Sequence, residues 1–265
     1  MNSTNSMNSM NSTNYLNRIG LGGEDVTLDV AGLMLLQRQH LLNIPFENLD
    51  IHWKRPIVLD TERFFHKIVE EGRGGFCYEL NGLFNELLNS LGFKTHLVSA
   101  RVSTGDGNFS NEYGHAAIIA RAGGGEYLVD VGFGAFTAAP LKMVLDEEQE
   151  DGTGTYVIRE RTGLYLMVLK KEDREWKAEY TFVPIARDLA EFAGMCDFHQ
   201  TSPESHFTRG KVCSLMTPGG RKTLTDKKFI VTRREERSEA DVGSEEEFEE
   251  ILEREFGIKR AEARA

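Results

Sequence analysis

The segment RGGFCYELNGLFNELLNSLG, residues 73–92, places a glycine-containing turn directly before a strongly periodic apolar run. The apolar side chains of that run recur every three or four residues: Leu80, Leu83, Phe84, Leu87, Leu88 and Leu91. This spacing predicts an amphipathic helix that begins near Cys77 and ends before Gly92. A thiol at a helix start faces unpaired backbone N–H groups, which favour its nucleophilic thiolate form. The alternative is that Cys77 is a small buried apolar residue, as most free cysteines are.

The sequence patterns on either side of this segment change twice along the chain. Helical spacing dominates from Asp25 to about Lys94, and short β-rich runs separated by glycines and charges follow from Thr95 to about Pro184. A helix, three strands and an acidic helix that begins near Ser244 complete the chain. This order indicates an α+β fold with a helical lobe, an antiparallel sheet or barrel, and a third, smaller part.

Composition and charge argue against several classes of protein. The 265 residues include 31 Lys and Arg against 42 Asp and Glu, a net charge of −11 without a basic run, which makes nucleic acid an improbable partner. No apolar run reaches the roughly 18 residues of a membrane helix, so we expect no membrane partner. The N-terminal tract MNSTNSMNSMNSTN lacks the basic and apolar regions of a secretory signal, so we expect a cytoplasmic protein. Because this tract is too polar to pack, we also expect residues 1–14 to form a disordered tail.

A histidine and an aspartate in one predicted hairpin are a possible base and orienting group for a cysteine nucleophile. His115 begins the run HAAIIAR, and Asp130 lies in YLVDVGFG at residues 127–134. If residues 121–124 form the loop, His115 pairs directly with Asp130 on one face of the sheet. A slip of one residue would place the two side chains on opposite faces. On its own, Asp130 would be interpreted as a turn cap or as the partner of an arginine.

Three cysteines in a chain of this length do not form a disulfide framework, so at least one is a free thiol. Cys196, His199, His206 and Cys213 could together be taken for a zinc site. Their spacing matches no common zinc module, and the two cysteines fit an apolar helix face and a strand interior. We therefore expect no bound metal.

Four motifs occur in an order and spacing that point to one family. They are IPFENLDI (44–51), RGGFCYELNGLF (73–84), the strand that begins His115-Ala116-Ala117-Ile118 and YLVDVGFG (127–134). Weaker agreement continues through QTSPESHF (200–207) and VCSLMTP (212–218). Together these motifs resemble the arylamine N-acetyltransferases of bacterial type.

The resemblance implies an N-terminal helical bundle, a central antiparallel β-barrel and a C-terminal α/β lid. In this arrangement the cysteine triad is placed as in papain-like and transglutaminase-like enzymes. We accordingly assign residues 1–14 to a tail, 15–94 to the bundle that carries the nucleophile, 95–200 to the barrel that carries the histidine and aspartate, and 201–265 to the lid.

The resemblance also implies a catalytic triad formed by Cys77, His115 and Asp130. The implied reaction moves an acetyl group from acetyl-CoA to an arylamine or hydrazine by a ping-pong mechanism through an acetyl-cysteine. In such a reaction His115 acts as base and then acid, and Asp130 fixes its tautomer.

The same resemblance suggests which residues contact the two substrates. Those that would line the slot for the aromatic acceptor are Phe46, Phe133 and Gly134. Those that would border the cleft for the acetyl donor, CoA, are Phe198, Ser202 and Pro203. Two nearby cations, Arg209 and Lys211, could screen the CoA phosphates or could simply be solvated strand charges.

Two other functions stay open from the sequence. One is a different Cys-His-Asp enzyme, such as an amide synthase or a transglutaminase-like or peptidase-like hydrolase, although the motifs beyond the triad argue against it. The other is a catalytically silent member that binds CoA or a partner, and the intact triad argues against that.

Overall fold

The computed structural model describes residues 9–234 and 236–260. The α-helices in these ranges are α1 (Ser9–Arg18), α2 (Val30–Asn43), α3 (Leu49–His52), α4 (Thr61–Phe65), α5 (Cys77–Leu91), α6 (Ala193–Thr201) and α7 (Glu245–Phe256). A π-helix spans His66–Glu70, and two 3-10 helices span Leu189–Phe192 and His206–Thr208. The strands are β1 (Phe46–Glu47), β2 (Lys94–Val102), β3 (His115–Ala122), β4 (Gly125–Val129), β5 (Leu141–Lys142), β6 (Gln149–Glu150), β7 (Thr155–Thr162), β8 (Tyr165–Glu172), β9 (Glu175–Phe182), β10 (Val212–Thr217), β11 (Gly220–Thr225), β12 (Lys228–Arg233) and β13 (Glu236–Asp241). Within these ranges no helix combines the length and the apolar character of a membrane span.

Helix α5 is the centre of the N-terminal part of the fold. Eleven of its fifteen residues are buried, and Gly92, with φ at 107°, ends it in a left-handed conformation that suits glycine. The helix packs against α1, α4, β2 and β3. The amphipathic helix predicted from the apolar spacing is therefore confirmed, and it connects the helical part to the sheet.

Helix α1 shortens the predicted disordered tail, because residues 9–14 belong to it. Residues 1–8 of that tail lie outside the described residues. Tyr15 and Ile19 are fully buried, and the Arg18 guanidinium donates hydrogen bonds to the carbonyl oxygens of Asn43 at 2.7 Å and Ile68 at 3.1 Å. These contacts at its C-terminal end attach the helix to the core. They explain why residues 9–14 are helical although their composition is polar.

The central part is an eight-stranded antiparallel sheet in the order β5-β4-β3-β2-β9-β8-β7-β6. A parallel bridge between Leu145 and Ile158 brings the chain after β5 next to β7, so the sheet curls into a nearly closed barrel. Its interior is filled by a cluster that includes Val98, Tyr156 and Tyr180. The predicted α+β class with a central antiparallel barrel is confirmed.

The C-terminal part is a five-stranded sheet in the order β1-β10-β11-β12-β13, with α7 packed on one face. Strand β1 comes from the N-terminal part, so this sheet, which forms the lid, is joined directly to the segment before α5. Successive side chains of a strand point to opposite faces of the sheet. Ser214, Met216 and Arg221 therefore share the face opposite α7. Helix α6 crosses the boundary drawn between residues 200 and 201.

A buried network of charges holds the segment 44–51 against the turn before α5. Arg73 pairs with Glu47 at 2.7 Å and with Asp50 at 2.6 Å, while Lys67 lies 2.9 Å from both Asp50 and Glu79. Each buried charge has an opposite charge in contact, which is what makes burial of such groups tolerable. The network therefore holds in place the backbone turn that leads into Cys77, the candidate nucleophile.

Candidate active site

Two glycines place Cys77 at the start of α5. A Cβ atom at Gly74 would lie 2.0 Å from the carbonyl oxygen of Pro45, and one at Gly75 would lie 2.8 Å from Cβ of Glu79. Any side chain at these positions would push the turn away from its neighbours. Cys77 is the first residue of the helix, and only 3 % of it is exposed.

The side chains of His115 and Asp130 are in contact, although the strand register differs from the predicted one. Nε2 of His115 lies 2.7 Å from Oδ2 of Asp130, and both side chains are buried. The hairpin loop is only Gly123 and Gly124, both with positive φ. The register of β4 against β3 is therefore shifted by two residues from the one that the four-residue loop predicted. A shift of two residues keeps the same face, and the two side chains meet as diagonal neighbours.

Asn81 joins helix α5 to this pair. Its Nδ2 donates hydrogen bonds to Oδ1 of Asp130 at 2.8 Å and to the carbonyl of Ala116 at 2.6 Å, while its Oδ1 accepts from the N–H of Val131 at 2.9 Å. The sequence pattern alone did not distinguish Asn81 from the other polar residues of the helix. Its position four residues after Cys77, on the same helix face, was the available signal.

The loop that follows Asp130 packs directly on the first residue of α5. A Cβ at Gly132 would lie 2.8 Å from Cα of Cys77, so only glycine allows this approach. The Gly132 N–H donates to Oδ1 of Asp130 at 2.9 Å, which gives that oxygen a second donor and leaves Oδ2 for His115. The Phe133 ring packs edge-on against the His115 ring, with centroids 5.2 Å apart.

Burial controls the acidity of the Cys77 thiol. It raises the pKa of Cys77 above the ordinary value, and hydrogen bonds from the backbone N–H groups of Ala116 and Tyr78 oppose this only in part. The thiolate stabilisation expected from the helix start is therefore outweighed. A buried thiolate needs a cation beside it. The chain neighbour of Ala116 is His115, the residue that the sequence predicts as the base. Because Asp130 occupies Nε2, Nδ1 is the ring nitrogen of His115 that does not contact this carboxylate.

If His115 is the base that the sequence predicts, Asn81→Ala should lower the rate of the expected acetyl transfer by about 10- to 100-fold, because small losses of orientation at a reacting group cost rates of this order. The carboxylate of Asp130 would lose one of its two hydrogen-bond donors on Oδ1 and would hold His115 less firmly. Stopped-flow rates, measured well below the melting temperature and normalised to folded protein, test this. Asn89→Ala is the matched control, because Nδ2 of Asn89 donates only within the same helix, to the carbonyl of Asn85. A wild-type rate in folded Asn81→Ala would contradict the positioning role.

The other residues predicted to contact the acceptor lie around the same site. Phe46 forms a backbone bridge with Gly75, two residues before Cys77, and its ring packs near that of Phe207 with centroids 6.1 Å apart. Gly134 has φ at 87°, and its carbonyl accepts a hydrogen bond from the guanidinium of Arg221 on the lid sheet. The segments before Cys77 and after Asp130 therefore both contact residues of the C-terminal part.

The residues predicted to contact CoA lie at the end of α6. The N–H of Ser202 closes the helix by donating to the carbonyl of Phe198 at 3.0 Å, and Pro203 is exposed. A cleft of about 520 Å³ opens next to this segment, lined in part by Phe207, Arg209 and Lys211. Phe198, Ser202 and Pro203 themselves are not among the residues that line this cleft.

The two cations considered for the CoA phosphates already have partners. Arg209 donates to the carbonyls of Pro203 at 3.3 Å and Glu204 at 2.8 Å, so it closes the loop after α6. Lys211 is largely buried and forms ion pairs with Glu245 and, at 3.5 Å, with Asp226. Its charge is neutralised within the lid, so Lys211 is neither a solvated strand charge nor a free phosphate ligand.

The cysteines and histidines considered for zinc have separate partners. Nε2 of His199 donates to the carbonyl of Gly114 at 3.2 Å, and burial lowers the pKa of His199 to about 4. The thiol of Cys196 faces the carbonyl of Ile57 at 3.9 Å, and Cys213 packs beneath α7. In the described part of the chain, no three potential metal ligands come together.

Comparison with known proteins places the chain in a family. A family model described as N-acetyltransferase matches residues 29–264. Human arylamine N-acetyltransferase 1 is 30% identical over 268 residues, covering 92% of each protein.

Solved structures agree with this assignment. The arylamine N-acetyltransferase of Salmonella typhimurium superposes with a TM-score of 0.90 at 25% identity, over 97% of this chain and 94% of that one. The Mycobacterium marinum enzyme, solved in complex with CoA, gives a TM-score of 0.84 at 31% identity, over 93% and 92% of the two chains. The chain therefore belongs to the arylamine N-acetyltransferase family, an acyltransferase family whose members transfer acetyl groups from acetyl-CoA to arylamines.

Proposed function

We propose that Cys77, His115 and Asp130 are the catalytic triad through which this chain acetylates arylamines and hydrazines. The observation that carries the proposal is the buried 2.7 Å contact between Nε2 of His115 and Oδ2 of Asp130, beside the helix that begins at Cys77. The carboxylate favours the tautomer with the proton on Nε2. Nδ1 then holds a lone pair that can accept the thiol proton.

The first half-reaction acetylates the enzyme. As Nδ1 of His115 takes the proton, the Cys77 sulfur attacks the thioester carbonyl of acetyl-CoA. The bond between the acetyl carbon and the CoA sulfur then breaks, and the proton on His115 passes to the departing CoA thiolate. This leaves acetyl-Cys77 and a neutral imidazole, ready to act as a base.

The second half-reaction transfers the acetyl group to nitrogen. The amine attacks the carbonyl of acetyl-Cys77, His115 accepts the proton that the nitrogen loses, and the bond to the Cys77 sulfur breaks. We assign the aromatic acceptor to the slot at Phe46, Phe133 and Gly134, because the Phe133 ring would hold an aromatic amine next to His115. Burial of Cys77 limits attack by water on the intermediate.

We assign CoA to the segment at Phe198, Ser202 and Pro203, which precedes two residues that line the 520 Å³ cleft, His206 and Phe207. The M. marinum relative solved with CoA supports CoA as the ligand of this fold. Residues 15–94, 95–200 and 201–265 would then act as three units that supply the nucleophile, the His–Asp pair and the closing wall. The three free thiols fit a reducing compartment, which supports a cytoplasmic location.

Mass spectrometry after mixing the protein with acetyl-CoA alone tests this function. We expect one acetyl group, located on the peptide that contains Cys77, and its loss when an arylamine is added. A hydrolase would not accumulate this adduct in the presence of water. Acetylation of Cys196 or Cys213 instead, or no acetylation, would contradict the proposal.

A further inference from the structure

Two buried side chains from different helices hold the backbone of the two residues before His115. The hydroxyl of Tyr78, on α5, donates to the carbonyl of Tyr113 at 2.6 Å. Nε2 of His199, on α6, donates to the carbonyl of Gly114 at 3.2 Å. The rings of Tyr78 and His199 stack on each other with centroids 6.1 Å apart. Two consecutive carbonyl groups before the proposed base are therefore anchored from outside strand β3.

The conformation of this backbone makes such contacts necessary. Tyr113 has φ at 62°, in the left-handed region that a tyrosine rarely adopts, and such a conformation persists only where its surroundings hold it. A Cβ at Gly114 would lie 2.6 Å from Oγ of Ser110 and 3.0 Å from the carbonyl oxygen of Asn111, so the chain is tightly folded here. Because His115 follows immediately, a shift of Gly114 would move its imidazole.

The imidazole of His199 is itself fixed on both sides. Burial lowers the pKa of His199 to about 4, so its ring is neutral at pH 7 and carries a single N–H. A carbonyl oxygen can only accept, so Nε2 holds the proton, and the lone pair of Nδ1 faces Oγ of Ser205 at 3.3 Å. The ring of Phe207 packs edge-on against that of His199, with centroids 5.1 Å apart. These contacts leave the Nε2–H aimed at Gly114.

We propose that His199 is a positioning residue for acetyl transfer, which sets the place of the His115 imidazole against Cys77 by holding the carbonyl of Gly114. The inference rests on the proposed function, in which His115 exchanges a proton in both half-reactions. Tyr78, the residue after Cys77, stacks on His199, so the segments of the nucleophile and the base share one support. Since His199 directly follows Phe198 in the segment assigned to CoA, the alternative is an effect on CoA binding alone.

Two amide variants, each of which reproduces one ring nitrogen, test the proposal. In His199→Gln the amide nitrogen can reach the place of Nε2 and keep the bond to Gly114, whereas in His199→Asn it reaches only the place of Nδ1. Acetylation of Cys77 at saturating acetyl-CoA should slow by about 10-fold or more in His199→Asn and stay within about threefold in His199→Gln. The acetyl-CoA concentration that gives half the maximal rate should stay within about twofold in both. Equal losses in the two variants, or a change in that concentration alone, would overturn the proposal.

Alkylation of Cys77 by iodoacetamide examines the pairing of thiol and imidazole with no substrate present. At pH 6 the labelling of the peptide that contains Cys77 should be about 10-fold slower in His199→Asn than in the wild-type enzyme, and nearly unaltered in His199→Gln. A residue that acts only on CoA binding, or only on stability, would not change the labelling rate per folded molecule. Labelling at the wild-type rate in folded His199→Asn would therefore overturn the proposal.

Controls keep these outcomes distinguishable. His96→Asn changes a half-buried histidine on β2 that lies in none of the proposed catalytic contacts, and both rates should stay within about twofold. Melting temperatures show whether each variant is folded. If His199→Asn does not fold, His199→Met, which fills the space without a donor, replaces it and should show the same losses. Absence of acetyl-Cys77 in the wild-type enzyme would instead contradict the proposed function.

Discussion

Cys77→Ser should abolish acetyl transfer, with a rate at least about a thousandfold below that of the wild-type enzyme. A hydroxyl is a far weaker acid than a thiol, and burial at the start of α5 already raises the pKa of the thiol that it replaces. His115 could not remove the hydroxyl proton to a useful extent. The fold should survive, because the two side chains are nearly equal in size. Acetyl transfer and thermal unfolding measured on one preparation test both parts.

Cys196→Ser provides the matched control for this prediction. That cysteine is also buried, and burial raises the pKa of Cys196 to about 12, yet its thiol faces only the carbonyl of Ile57 and the side chain of Gln200. Its replacement should leave acetyl transfer within about twofold, since it lies in none of the proposed catalytic contacts. Residual turnover of folded Cys77→Ser within tenfold of the wild-type rate would remove Cys77 from the mechanism.

The features that the sequence predicts well are those set by short-range pattern. The apolar spacing from Leu80 to Leu91 depends only on helix geometry, and Gly92 ends the helix with a conformation that favours glycine. These local signals place Cys77 at the first helical position without knowledge of the rest of the fold. The change from helical to strand patterning near Lys94 is equally local.

The hairpin shows how a register can be wrong while the contact is retained. The prediction used a loop of residues 121–124, whereas the structure has the tight two-residue turn that Gly123 and Gly124 allow. The predicted register of β3 against β4 is therefore wrong by two residues. Because side chains alternate with a period of two, His115 and Asp130 stay on one face.

Local sequence pattern does not predict the contacts of residues that are brought together only by the tertiary fold. Asn81 is one polar residue in an apolar helix until the loop after Asp130 is folded against it. Arg221 looks like a solvated strand charge until the lid sheet brings it to Gly134. The acidity of Cys77 was misjudged for the same reason, since burial depends on the whole fold rather than on the helix start.

Asp130→Asn should lower acetyl transfer by at least about a hundredfold, and the hydrogen bonds of Asp130 explain why. Its Oδ1 accepts from the N–H of Gly132 and from Nδ2 of Asn81, so an asparagine must place its carbonyl oxygen there. The amide NH2 then faces Nε2 of His115 and forces that nitrogen to act as an acceptor. The imidazole proton moves to Nδ1, where it blocks removal of the thiol proton.

The same substitution should slow alkylation of Cys77 by iodoacetamide at pH 6, because the thiolate depends on the imidazolium that the carboxylate stabilises. A purely structural role for Asp130 predicts a different result, namely easier unfolding with an unaltered rate per folded molecule. Rate, alkylation and melting temperature measured on one preparation separate the two roles. Normal turnover in folded Asp130→Asn would leave Cys77 and His115 as a catalytic dyad, with the buried contact between His115 and Asp130 serving the fold alone.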